Sequence, residues 1–204
     1  MNEKKIIGLT GKYCAGKNLA ALILSKRGLP VLDADKLGHE AIEKEKEVLV
    51  KRFGADILEG NGLVDRKKLG ARVFGKKEEL KALEDIIHPR VNRETLAWIG
   101  AQKEKACVIN AALLHRSSAF DVLDALIIVE APFFVRLLRA RKRDRLGWIK
   151  LIKRFRSQVD FRSQYFKGKT DIYRVSNLRD NTKSGRKNGL DKRIGKILSL
   201  LGIG

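Results

Sequence analysis

The sequence predicts an α/β protein: a parallel sheet flanked by helices, interrupted by a helical insertion and followed by a basic, helical final third. Three observations carry that prediction. A short apolar run, "KIIGLT", leads through a glycine-rich loop into a helical run and then into a second strand, the order of a parallel β-α-β unit. Two further apolar runs, "ACVINAALL" and "DALIIVEA", come after residue 105, with little of the polar alternation of a half-exposed strand. Between residues 36 and 105 no clear strand occurs, and apolar residues recur at helical spacing.

Taken in order, residues 5–10 read as a buried strand ended by glycine. "KNLAALILSKR" reads as a helix over residues 17–27, stopped by Gly28 and Pro30. Val31 and Leu32 begin a second strand that ends in the acidic "DAD" of residues 33–35. "LGHEAIEKEKEVLVKRF" spaces its apolar residues helically with charge between them, and "GNGLVD" reads as a turn or small hairpin. "DRKKLGARVF" and "KKEELKALEDIIHPRVNRETLAWIGAQKE" resume the helical period, with Pro89 interrupting the second. Strands follow at residues 106–114 and 124–131, and Pro132 suits the first position of the helix "PFFVRLLRARKR". "RDRLGWIKLIKRFRSQVDFRSQYFKGK" reads as helical with exposed cationic faces, "IYRVSN" as a last short strand, "RDNTKSGRKNG" as a polar loop, and "GLDKRIGKILSLLG" as a terminal amphipathic helix. The 204 residues suit one domain carrying a sizeable insertion.

Composition narrows the class. With 44% apolar and 33% charged residues, a folded soluble protein is expected, and no apolar stretch is long enough to span a bilayer. The apolar run behind "MNEKK" is too short for a secretory signal. Two cysteines, Cys14 and Cys107, make neither a disulfide framework nor a zinc pattern, so a cytoplasmic, reduced protein is expected. Lys and Arg number 44 against 24 Asp and Glu, a net charge of +20. Residues 136–204 hold 21 Lys and Arg against 5 Asp and Glu, a net of +16. Such a surface attracts nucleotides, nucleic acid or acidic headgroups, or is a solvated face without a dedicated partner; charge alone leaves both readings open.

The chemistry is concentrated in "GKYCAGKN", residues 11–18. Gly11, Gly16 and Lys17 satisfy the first seven positions of the phosphate-binding pattern G-x-x-x-x-G-K-[ST]. The glycines let successive backbone N–H groups turn toward one anion at a helix N-terminus, and Lys17 brings a cation to the β and γ phosphates. The eighth position, where a hydroxyl would help fix magnesium, is Asn18. Downstream, Asp33 and Asp35 follow the second strand, at the edge of such sheets where ligands bind. A carboxylate there can accept a hydroxyl proton, hold magnesium through water, or simply cap a helix. Asp35 is read as catalytic and Asp33 as structural or part of the metal's surroundings.

Together the segments "IIGLTGKYCAGKN", "VLDADKLGHEAI", "RFGADIL…GLVDRKKLGARVF", "IIHPRVNRE" and "LIIVEAPFFVRLLRARKRD" resemble the dephospho-coenzyme A kinase family in order and spacing, up to about residue 177. The phosphate loop is shared by many kinases, whereas the "DAD" and "HPRV" segments at these distances are far more particular. The resemblance implies transfer of the γ-phosphoryl of ATP to the ribose 3′-hydroxyl of dephospho-coenzyme A, the last step of coenzyme A synthesis. It implies a nucleotide-kinase core with a helical substrate domain, here residues 36–105, and a lid, here residues 139–167. By position, Gly11, Tyr13, Cys14, Ala15, Gly16, Lys17, Asn18 and Leu19 would hold ATP, with magnesium as its companion and Asn18 as a candidate ligand. Asp35 would activate the attacking hydroxyl, with Asp33, His88 and Arg93 on the substrate side. Arg139 and Arg143 match lid arginines that approach the phosphates, Arg143 as a catalytic group, and Asn177 matches a residue near the adenine. Without the family, His88 before Pro89 reads equally as a helix-end cap.

The chain departs from the family pattern at Asn18, at "AALLHR", where Ala112 and Arg116 stand for a proline and an acidic residue, and at Ser176 beside Asn177. Two alternatives therefore remain. One is a kinase for another nucleoside or nucleotide. The other is a weakened family member that binds nucleic acid through its basic final third, which predicts steep salt dependence.

Overall fold

β1 (Lys5–Gly11) is the centre on which the fold is assembled. The computed structural model describes residues 4–144, 147–148, 151–152, 155, 165, 170–178 and 189–203. The chain divides into two compact units, Met1–Leu32 with Ala101–Gly204, and Asp33–Gly100. In the first, β1 lies in a five-stranded sheet with β2 (Val31–Asp33), β3 (Ala106–Asn110), β4 (Ala125–Glu130) and β5 (Asp171–Ser176), in the order β2-β3-β1-β4-β5. β1 pairs in parallel with β3 and β4, opposing Leu9 to Asn110 and Gly11 to Val129, and β4 pairs in parallel with β5.

Every residue of β3 and all but the last of β4 are buried, which explains their unbroken apolar sequences. α1 (Lys17–Lys26) and the terminal α7 (Gly189–Leu200) contribute Ala20, Leu24, Ile194 and Leu198 to a core shared with Ile7, Leu9, Val108, Ile127 and Val129. Arg27, just past α1, ties the two helices through an ion pair to Asp191 at 2.8 Å. α6 (Phe133–Asp144) starts one residue after Pro132, whose carbonyl accepts the Arg136 N–H.

The second unit is helical. α2 (Ala34–Lys44), α3 (Lys46–Phe53), α4 (Arg66–Val73) and α5 (Lys77–Ala101) enclose Leu49, Phe53, Ile57, Val64, Leu69, Val73 and Ile87. The Asp33 carboxylate caps α2 through the Lys36 N–H, and Asp65 caps α4 through those of Lys67 and Lys68. "GNGLVD" forms a tight reversal with an antiparallel bridge between Leu58 and Val64. Ion pairs lace the surface: Lys44–Glu94 at 2.9 Å, Arg52–Glu79 at 3.1 Å, and Arg90 with Glu45.

Two expectations are corrected, and a third is sharpened. Pro89 does not interrupt its helix: α5 runs unbroken for 25 residues. Proline sacrifices one backbone hydrogen bond there, but Ile87 is in the core just before it, and Arg90 is ion-paired just after it. The helical run after residue 36 divides at Glu45, whose φ of −100° and ψ of 18° end α2 and start α3. The strand expected over residues 106–114 stops at Asn110, and Leu114 instead begins a 3₁₀ turn (Leu114–Arg116) that buries its side chain. A short apolar run does not distinguish a strand from the buried turn that follows it. The loop at residues 179–188, and most of the lid and basic stretch beyond Asp144, lie outside the described residues.

Candidate active site

The loop between β1 and α1 begins where β1 can approach β4 only without a side chain. A Cβ on Gly11 would stand 2.7 Å from the Val129 carbonyl oxygen. The chain then turns through Lys12, whose carbonyl accepts the Ala15 N–H at 2.9 Å, and through Cys14, held at φ +58°. Gly16, at φ +103°, is the N-cap of α1 and makes no side-chain cap. The loop thus leads into the positive end of a ten-residue helix, where an anion is favoured. Lys17 opens that helix half-buried, Asn18 is exposed beside it, and Leu19 packs against the core, leaving its backbone as the group on offer.

Three donors grip the loop's carbonyls from behind. Asn177, only 3% exposed after the end of β5, gives its side-chain N–H to the Ala15 carbonyl at 2.9 Å. Its backbone N–H is fixed on the Glu130 carbonyl at 2.7 Å. Arg139 reaches the carbonyls of Ala15 at 3.4 Å and Asn177 at 3.3 Å. Arg136, 8% exposed, donates to the carbonyls of Tyr13 and Ala131 and lies 4.8 Å from the Phe155 ring centre. Burial pulls its guanidinium below the usual arginine value, with Cys14 and Glu130 acting in the opposite direction. The Arg143 guanidinium lies 5.1 Å from the Tyr13 ring centre and pairs with Asp144. Positions 136, 139 and 143 are three and four apart, so α6 presents one arginine stripe to the loop.

In the second unit, Asp33 and Asp35 are both exposed at the start of α2, where a carboxylate is favoured by the helix dipole. His88 is half-buried and Arg93 exposed, both on α5. Five residues of helix turn the chain by about 500°, so the two point roughly 140° apart. The structure thus groups the loop residues with Arg139, Arg143 and Asn177 in one unit, and holds Asp33, Asp35, His88 and Arg93 in the other.

Sequence reading missed Arg136, whose signal was its spacing from Arg139 and Arg143. It also missed a polar cluster behind the sheet's carboxyl edge. The Thr10 hydroxyl, fully buried, lies 3.3 Å from both the Tyr165 hydroxyl and the Ala112 carbonyl. The His115 ring packs edge-on against Tyr165. Burial, and then Arg116, push the His115 imidazole below its ordinary value. Asn110 ends β3 at 2% exposure with its side-chain oxygen unpartnered. That buried amide oxygen and the exposed one of Asn18 are hard donors of the kind magnesium accepts beside phosphate oxygens and water. Among the described residues no group of three His, Cys, Asp or Glu could hold a metal. No helix among them is long and apolar enough to cross a membrane.

The chain is similar to known proteins over most of its length. A family model described as Dephospho-CoA kinase matches residues 5–174. The Anaeromyxobacter dehalogenans dephospho-CoA kinase is 38% identical over 161 residues, covering 76% of each chain. The Treponema denticola enzyme is 34% identical over 197 residues, covering 91% of this chain and 88% of its own. Among solved structures, a Thermus thermophilus protein superposes with a TM-score of 0.78 at 27% identity, covering 98% of this chain and 97% of its own. The Campylobacter jejuni dephospho-CoA kinase, at 24% identity and a TM-score of 0.61 over 97% of both chains, shares the fold.

Proposed function

Because the chain belongs to the dephospho-CoA kinase family, we propose how its residues divide that family's reaction among themselves. The chain is a phosphotransferase of the last step of coenzyme A biosynthesis, with ATP as a substrate. The γ-phosphoryl passes to the ribose 3′-hydroxyl of dephospho-coenzyme A. The observation that carries the assignment is the loop from Gly11 to Lys17, its carbonyls gripped from behind and its end set at the positive terminus of α1.

In this reading the ATP phosphates lie on the N–H groups from Tyr13 to Leu19, with Lys17 at the β and γ positions. Asp35 takes the proton of the 3′-hydroxyl as its oxygen attacks the γ-phosphorus, and the bridging oxygen leaves with ADP. Asp33 keeps α2 capped, which fixes Asp35 within the first helical turn. Asp33, His88 and Arg93 stand on the acceptor's side. Arg139 and Arg143 offset the charge that a loose transition state spreads over the transferred group. Magnesium bound with ATP would supply further neutralisation of the phosphate oxygens, and Asn18 would help to hold it.

ADP release measured with a panel of acceptors tests this reading. Dephospho-coenzyme A is expected to stimulate release far above the background ATPase, and nucleosides and nucleoside monophosphates are not. Stimulation by one of those instead would assign the chain to another acceptor.

A further inference from the structure

We propose that Asn177 is a positioning residue that orients the phosphate loop through the Ala15 carbonyl rather than by touching the nucleotide base. The inference rests on the reading of that loop as the ATP site. A trans peptide is planar, so its C=O and the next N–H point in opposite directions. Wherever the Ala15 carbonyl is held, the Gly16 N–H is aimed the other way. Asn177 holds that carbonyl with a 2.9 Å bond from a buried amide, and Arg139 adds a second donor at 3.4 Å. The Gly16 N–H therefore faces away from the Asn177 side chain.

The brace is itself fixed. The Asn177 backbone N–H is bonded to the Glu130 carbonyl at the end of β4, and its carbonyl accepts from Arg139. The Asn177 amide therefore hangs directly from the end of the sheet. Gly16 completes the fit: a Cβ there would run into Asn177 Nδ2, and its φ of +103° is disfavoured for any side chain. Glycine at position 16 and asparagine at position 177 are one device. At 3% exposure, with a side-chain N–H engaged by the Ala15 carbonyl, Asn177 presents almost no surface to an adenine ring.

The test uses ligands that do and do not carry a base. Titration calorimetry would compare inorganic tripolyphosphate, ATP and GTP on the wild type, Asn177→Asp and Asn177→Ser, below the melting temperature of each. The aspartate turns a carboxylate oxygen toward the Ala15 carbonyl and the serine falls short of it. About a tenfold loss of tripolyphosphate and ATP affinity is expected, with the ATP-to-GTP ratio unchanged. If Asn177→Asp does not fold, Asn177→Ser carries the same readout. Loss of ATP affinity with tripolyphosphate unchanged would overturn the brace in favour of a base contact. Unchanged affinity for all three would overturn it outright. A wild type that binds none of them would instead overturn the ATP-site reading on which the brace depends.

Discussion

The two units place candidate chemistry on opposite kinds of support. In the sheet unit, the proposed working groups are backbone N–H groups, and the side chains that hold the loop, Asn177 and Arg136, are buried. In the helical unit, Asp35 and Arg93 are exposed on helices whose stability comes from a separate core and from surface ion pairs. The difference teaches that function and stability are fused in the first unit and separable in the second. A buried brace cannot be cut without loosening the fold, whereas an exposed carboxylate can be changed with the fold intact.

Substitutions that break this contrast rank by size. Asp35→Asn is expected to lower kcat by about 10²–10⁴ while lowering the melting temperature only slightly, because it removes the proposed proton acceptor and one charge at the start of α2. Gly16→Ala is expected to abolish nucleotide binding and lower the melting temperature together, as a side chain meets Asn177. Calorimetry and turnover on the two variants check both. Leu9→Ala, in the shared core of β1, is expected to cost about 2–5 kcal/mol in denaturant unfolding.

A smaller effect tests the polar cluster. His115 is pushed below its ordinary 6.5, so the unfolded chain takes up a proton that the half-buried ring resists. Its contribution is intact above that value and is lost as the pH falls through it. His115→Phe, which also removes an unpartnered buried nitrogen, is expected to raise the melting temperature, and more so on the acid side. A parallel shift at all pH values would remove histidine titration as the cause. Smallest of all, Asn18→Thr supplies the hydroxyl of the usual loop and is expected to reduce the magnesium needed for half-maximal turnover by a few-fold.

Legibility in the sequence followed the same division. The glycine-lysine spacing of residues 11–17 is legible because tight turns restrict residue choice, and unbroken apolar runs reveal strands buried on both faces. The end of β3 was not legible, since Ala111 and Leu114 are buried whether they extend the strand or turn away from it. Nor was the continuity of α5 through Pro89, because the Arg90–Glu45 pair joins residues far apart in the chain. Asn177 was legible by its place in a motif, but its partner was not. The bond to Ala15 spans 162 residues and exists only once β5 lies beside β4.

The central claim is tested most directly by following the label from γ-labelled ATP when the protein is mixed with magnesium and dephospho-coenzyme A. The account predicts label on the ribose 3′-oxygen of the product, and its near-complete loss with Asp35→Asn. Label released only as inorganic phosphate, or transferred equally well by the Asp35→Asn protein, would contradict it.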